Sequence, residues 1–379
     1  MPVHIAIDVR RLKDFGIGTY IRNLVRRLGT LDHTNRYTLV TSPDLPAELG
    51  GLPPNFETAP YPPAESGPLA DIRLSMFLRR FHADVYHIPL NAVPLAMPKP
   101  YIVTVHDMSS LMFGHRPGWR NAYRRYRFRN GLNQADRVLA VSSATRRDVE
   151  HFMRIPRERI VTIYNAPDPV FAETGSTPNE DARILDRYQI HYPFLLYAGT
   201  IRKQKNIPRL VEAFSVLRGE LASHPVYKDL RLVIIGDEIS NYPSVRRTVI
   251  QSGVEHRVRF LGFVPIETLR VFYRAAAAFV FPSLYEGFGL PPLEAMSCGT
   301  PVVCSNVSSL PEVVGDAAMI VNPENVFEIA RGMREVLLDD ELRMRLIAKG
   351  REQAARFSWE TAASQVLKTY SDVAARTAE

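Results

Sequence analysis

Short apolar runs alternate with helix-like stretches twice along the 379 residues, and the two series are separated by one break. In the first series the apolar runs fall at residues 5–7, 37–40, 85–88, 101–105, 138–141 and 160–164. Helical stretches, such as residues 20–28, lie between several of them. Strands that alternate with helices predict parallel sheets built from βαβ units. Residues 166–190 lose this periodicity and gain Pro, Gly and acids, as a linker does. A second series follows at residues 194–198, 230–235, 258–260, 278–281, 302–304 and 319–321. The pattern predicts an α/β chain with two Rossmann-like, doubly wound parallel-sheet domains. Their expected spans are residues 1–172 and 191–357, with a linker at 173–190. Ser358 is positioned to cap a last helix over residues 358–375. Two such halves face each other across a cleft, and crevices at the carboxyl ends of strands are where ligands bind.

Composition adds exclusions. With 46% hydrophobic and 23% charged residues the chain reads as globular. No apolar run approaches the ~18 residues of a membrane-spanning helix. The opening MPVHIAID enters a strand at once and leaves no room for a signal peptide. Cys298 and Cys304 are too few for a disulfide framework and have no metal-ligand company, so packing in a reducing, cytoplasmic compartment is expected. Part of the net charge of +7 is concentrated: Arg116, Arg120, Arg124, Arg125, Arg127 and Arg129 occur without an intervening acid, among Trp119, Tyr123, Tyr126 and Phe128. At helical spacing Trp119, Tyr123 and Tyr126 share one face. Such a helix suits an anionic membrane surface, peripherally at its inner face, or an anionic or lipid-linked acceptor; it equally suits solvent with its aromatics turned to the core. No nucleic-acid-binding motif accompanies the charge, so nucleic acid is not an expected partner.

Residues 282–303, PSLYEGFGLPPLEAMSCGTPVV, carry the chemistry. Seven residues separate Glu286 from Glu294, among them Gly287, Phe288, Gly289 and Leu290. The preceding apolar run is a strand that delivers Glu286 to its end. Pro291 or Pro292 suits the first helical position, which predicts residues 293–296 as an opening turn. Glycines allow close backbone approach, and a helix N-terminus offers N–H groups to an anion, most often phosphate. Glu294 is better used on sugar hydroxyls beside that anion.

The Glu pair inside YEGFGLPPLEAM, followed by GTPVV, resembles the signature of the retaining glycosyltransferases of family 4, whose two-domain architecture is called GT-B. The resemblance is specific from about Leu195 to Pro323. It implies transfer of a hexose, mannose or glucose, from a GDP- or UDP-linked donor to the hydroxyl of a saccharide or lipid-linked acceptor. By that resemblance Glu286 lies beside the donor sugar and Glu294 binds the ribose. GTIRKQKN with YEGFGLPPLEAM is similar to bacterial enzymes of polysaccharide or glycolipid assembly, many of them mannosyltransferases. The family's last helix returns to the first domain, which is expected here for residues 358–379.

The remaining site residues follow the same pattern. After Gly199, the turn TIRKQKN brings Arg202, Lys203 and Lys205 to a strand end, where cations offset the charge of a departing diphosphate. The resemblance gives Lys205 the family's lysine position and leaves the arginine role to Arg202. No Asp-x-Asp motif lies nearby, and cations in place of a metal are what the resemblance implies; no cofactor is expected. Gly236 marks the turn that lets backbone approach the nucleotide, and the backbone around Phe263 is where the family binds the base. In the first half, Gly16 and Gly18 match the loop over the diphosphate and acceptor. The third glycine of a dinucleotide fingerprint is replaced by Ile21, which disfavours a dehydrogenase. His106 ends a strand and, by the resemblance, hydrogen-bonds the donor sugar. Ser142 and Ser143 touch acceptor or phosphate, or cap the following helix. Two other readings stay open: a nucleotide-sugar 2-epimerase or hydrolase of the same architecture, and a non-catalytic nucleotide-sugar-binding protein.

Overall fold

Each series becomes one parallel sheet in the computed structural model, which describes residues 2–14, 16–43, 49–62, 68–90, 93–113, 118–173, 177–237 and 239–378. In the first, β1 (His4–Asp8), β2 (Arg36–Thr41), β3 (Phe56–Pro60), β4 (Val85–Ile88), β5 (Tyr101–Val105), β6 (Arg137–Ala140) and β7 (Ile160–Thr162) lie in the order β3-β2-β1-β4-β5-β6-β7. In the second, β8 (Phe194–Gly199), β9 (Arg231–Gly236), β10 (Val258–Gly262), β11 (Ala278–Phe281), β12 (Val302–Ser305) and β13 (Met319–Val321) lie in the order β10-β9-β8-β11-β12-β13. Both sheets grow outward from their first strand, then restart on its other side. The order reverses between β1 and β4, paired through Ile5 and Val85, and between β8 and β11, paired through Leu195 and Ala278. Central strands such as β5 and β11 are buried along their whole length, as strands covered on both faces must be.

The chain divides into two units, residues 1–165 with 358–379 and residues 166–357. In the first, the helix Ile17–Leu31 follows β1 and buries Tyr20, Ile21, Leu24, Val25 and Leu28. Each large aliphatic side chain on that stripe contributes about 1.5–3 kcal/mol by leaving water. The helix Trp359–Ala378 packs against it and buries Trp359, Ala362, Ala363, Val366, Tyr370 and Val373. Ser358 caps this last helix, its Oγ accepting from Thr361 N at 3.1 Å. A buried polar chain fixes the docking. Tyr370 OH lies 2.6 Å from His87 Nδ1, His87 Nε2 lies 2.8 Å from Thr104 Oγ1, and that hydroxyl lies 3.1 Å from Tyr20 OH. Burial, with His106 nearby, pushes His87 down to about 3 and keeps the ring neutral.

The segment expected as linker is partly helical. Thr177 and Glu180 form a capping box at the start of Pro178–Arg187. Asp181, Ile184, Leu185 and Tyr188 form its half-buried face, and the Tyr188 ring meets Phe272 edge-on at 5.3 Å. Its periodicity is short and flanked by Pro, Gly and acids, which hid it. The edge strand β3 was also absent from the sequence expectation, because FETAP is largely exposed and lacks an apolar run.

Candidate active site

In the second unit the site is built where the strand order reverses. Strand β8 leads into the turn Lys203–Lys205, and its neighbour β11 leads into the loop that holds Glu286. Lys205 Nζ lies 2.6 and 2.8 Å from the two carboxylate oxygens of Glu286. The side chains are 15% and 11% exposed, so the pair is shielded from solvent. Lys205 Nζ also sits 5.2 Å from the centre of the Phe281 ring, which stacks on Tyr197. The loops are joined by Leu284 N donating to Gln204 O at 2.7 Å. Buried Asn206, in the left-handed region at φ 60°, donates through Nδ2 to Pro282 O at 3.0 Å and Pro323 O at 2.7 Å. It closes the basic turn and opens the helix Ile207–Glu220.

Gly289 precedes the helix Leu290–Ser297 with φ 116°, and a Cβ there would approach Leu310 Cδ2 to 2.7 Å. Only glycine meets both demands. The helix therefore opens at Leu290, earlier than residues 293–296, and Glu294 lies in its second turn rather than its first. The two prolines fit inside the first turn, where no intrahelical N–H bond is needed. Glu294 Oε2 accepts from Tyr273 OH at 3.0 Å. Burial pushes its carboxyl up to about 7; the Tyr273 hydrogen bond opposes the shift and the charge of Asp168 adds to it. Gly287 and Phe288 are buried in the same loop. Gly199 and Gly236 pair at the ends of β8 and β9. Beyond them, Asp237 Oδ2 accepts from Ile201 N at 2.9 Å and Tyr242 OH at 3.1 Å, tethering the start of the basic turn. Arg202 is exposed at the head of that turn, and Phe263, just past β10, is 70% exposed.

In the first unit, Gly16 has φ 60° and immediately precedes the helix Ile17–Leu31. Gly18 packs so closely that a Cβ would fall 2.1 Å from Leu12 O. Phe15, between Asp14 and Gly16, lies outside the described residues. His106 follows β5; its Nε2 lies 3.1 Å from Pro89 O, beyond β4. A carbonyl only accepts, so Nε2 carries the proton. Burial pushes His106 down to about 4 against the raising effects of Pro89 and Asp107. The Tyr20 ring meets the His106 ring edge-on at 4.9 Å. Ser142 is a helix cap, its Oγ accepting from Thr145 N at 2.9 Å, and Ser143 Oγ lies 3.0 Å from Tyr164 OH.

The basic segment forms the helix Trp119–Gln134; Arg116 and the side chains of Trp119 and Arg120 lie outside the described residues. On the face expected to be shared by Trp119, Tyr123 and Tyr126, Tyr123 is half-buried and Tyr126 is exposed. Phe128 and Leu132 are buried, whereas Tyr126 is 63% exposed. Arg127 turns inward and pairs with Asp71 at 3.0 Å, which leaves Arg124, Arg125 and Arg129 on the exposed side. Both cysteines are free thiols, and burial pushes Cys298 up to about 12. Among the described residues no group of three or more His, Cys, Asp or Glu side chains converges as a metal site, and no helix is long and apolar enough to cross a membrane.

Residues 187–353 match the family model of Glycosyl transferases group 1, and residues 16–171 match that of Glycosyltransferase Family 4. Over 305 residues the chain is 36% identical to O-antigen chain mannosyltransferase B of Escherichia coli, covering 79% of this chain and 77% of that one. The chain is a family 4 glycosyltransferase. This glycosyltransferase is also 30% identical over 298 residues to the serotype-specific mannosyltransferase WbdA of Escherichia coli, covering 76% of this chain but 35% of WbdA. In fold it resembles Anabaena Alr3699/HepE, solved in complex with UDP and glucose, with a TM-score of 0.78 and 18% identity over 98% of this chain and all of that one. The two Rossmann-like sheets are those of the GT-B fold.

Several residues that shape the site in the glycosyltransferase were not singled out from sequence. Asn206, Asp237 and Tyr273 act through hydrogen bonds to loops or acids distant in the chain. Ser308 and Ser309 reach the carbonyls of the Glu286 loop. A paired Ser-Ser two residues beyond the strand run PVVCS was the one local signal available.

Proposed function

We propose that this glycosyltransferase moves a mannosyl group from a GDP- or UDP-linked donor to a hydroxyl of a saccharide or lipid-linked saccharide, with retention of configuration and without a metal ion. The bidentate Lys205–Glu286 pair at the reversal point of the second sheet carries the reading. It sets a cation for the departing diphosphate beside a carboxylate for the donor sugar. The choice of mannose follows the likeness to O-antigen chain mannosyltransferase B.

In this reading Glu294 takes the ribose, and Lys205, Arg202 and the N–H groups at Gly289 and Leu290 take the diphosphate. Gly199 and Gly236 admit the nucleotide backbone, and the chain around Phe263 meets the base. Glu286 orients the sugar, and the family resemblance assigns one of its hydroxyls to neutral His106. The anomeric carbon to phosphate-oxygen bond breaks through an oxocarbenium-like state. The acceptor oxygen bonds to that carbon on the same face, and its proton passes to the departing phosphate. Exposed Arg124, Arg125 and Arg129 with Tyr126 suit contact with an anionic membrane face.

The test is product analysis with GDP-mannose, UDP-mannose and their glucose counterparts, in the presence of saccharide acceptors. A new α-linked mannoside supports the proposal; isomerised free sugar would assign the chain to epimerisation instead. Lys205→Ala is expected to lower transfer by about a hundredfold or more, the scale of losing one preorganised charge donor. Activity within a few-fold of the parent removes Lys205 from the mechanism.

A further inference from the structure

Three serine hydroxyls in and just after β12 meet backbone carbonyls of the segment after β11. Ser305 Oγ donates to Ser283 O at 2.6 Å, and Ser308 Oγ to Glu286 O at 2.5 Å. Ser309 Oγ lies 2.6 Å from Phe288 O and 3.0 Å from Glu286 O. A hydroxyl has one proton to give. With Glu286 O served by Ser308, the Ser309 proton goes to the nearer Phe288 O.

Two features show that this arrangement is not incidental helix capping. Ser309 occupies the N-cap position of the helix Leu310–Val314 yet makes no side-chain cap bond; its hydroxyl is spent on the loop. Ser308 has φ 59°, a conformation that a residue with a Cβ adopts only under outside constraint. Ser309 is fully buried, so its bond is shielded from competing water.

The consequence follows from peptide geometry. The peptides after Glu286 and Phe288 are trans, since the cis bond recorded among the described residues is Lys99–Pro100. In a trans peptide the C=O and N–H point in opposite directions. Turning the carbonyls of Glu286 and Phe288 toward the serines turns the N–H groups of Gly287 and Gly289 to the other side. Those donors lead directly into the N-terminus of Leu290–Ser297. We propose that Ser308 and Ser309 are positioning residues that aim the amides of the Glu286 loop at the donor diphosphate. The inference rests on the nucleotide-sugar reading above and adds the device that orients its anion donors.

The experiment compares Ser308→Gly and Ser309→Ala with the parent. Glycine at 308 tolerates the left-handed backbone while removing the hydroxymethyl side chain, so it stays informative if the buried Ser309 variant folds poorly. Dissociation constants are measured for GDP and guanosine, and for UDP and uridine, with melting temperature followed in parallel. The expected result is a roughly tenfold loss of diphosphate affinity in each variant and an unchanged nucleoside affinity, because only the phosphates use the amides. Parallel loss for both ligands would reduce the serines to general scaffolding, and unchanged diphosphate affinity would overturn the proposal outright. A parent protein that binds neither diphosphate would instead sink the nucleotide-sugar reading on which it stands.

Discussion

Glu294 shows how a single residue is retuned by its surroundings. Its carboxyl is pushed from 4.5 to about 7, chiefly by burial. The native state therefore binds more protons than the unfolded chain between those values, and stability falls as pH rises through that window. The loss is complete above about pH 7 and is on the order of 2–3 kcal/mol, less where residual solvent screens the group. Glu294→Gln is expected to remove this slope in denaturation curves and to be the more stable form at about pH 8. In the proposed binding mode ribose hydroxyls donate to the carboxylate, so donor binding selects the ionised form. Donor affinity should then weaken roughly tenfold from about pH 8 to about pH 6, and the glutamine variant should show weak, pH-independent binding by calorimetry. A parent with flat affinity across that range would place the ribose elsewhere. Glu286, Glu294 and Lys205 could be singled out as candidates because each lies in a short, distinctive run. The shift on Glu294 was not, because Tyr273 and Asp168 approach it from distant parts of the chain.

Among the elements, the helix Trp359–Ala378 is the clearest case of a local signal with a non-local use. Its Ser358 cap was legible from FSWE. Its docking depends on Tyr370 reaching His87 on β4. Tyr370→Phe leaves a buried ring nitrogen without its hydroxyl and is expected to cost about 1–3 kcal/mol in chemical denaturation. His87 is held near 3, below its ordinary 6.5. Here the native state binds fewer protons than the unfolded one, so stability is full above about 6.5 and is lost as pH falls toward 3. His87→Gln should shift the acid unfolding midpoint downward, measured by far-UV circular dichroism against pH. The helix Pro178–Arg187 illustrates the opposite failure: its capping box was present in the sequence, but Pro and acids around it suggested irregular chain. Thr177→Ala is expected to cost about 1 kcal/mol there.

At the scale of the whole molecule, each unit has its own sheet and core, so heat unfolding need not be a single transition. A nucleoside diphosphate bound in the second unit at a hundred times its dissociation constant should stabilise that unit by about 2.7 kcal/mol. Hydrogen exchange is expected to slow in β8, β11 and the helix Leu290–Ser297 while β2 and β3 stay unchanged; uniform protection of both sheets would contradict a site centred on the second unit. The linear order of residues was sufficient for the α/β class, the repeated parallel sheet and the two acids with seven residues between them, because periodicity and glycine or proline punctuation act over a few neighbours. Folding alone decided that Lys205 meets Glu286, that two serines set the carbonyls of the Glu286 loop, and that the 119–134 helix turns Phe128 inward. Those outcomes depend on which strand edges and loops become neighbours in space, and short-range preferences in a chain carry no record of that.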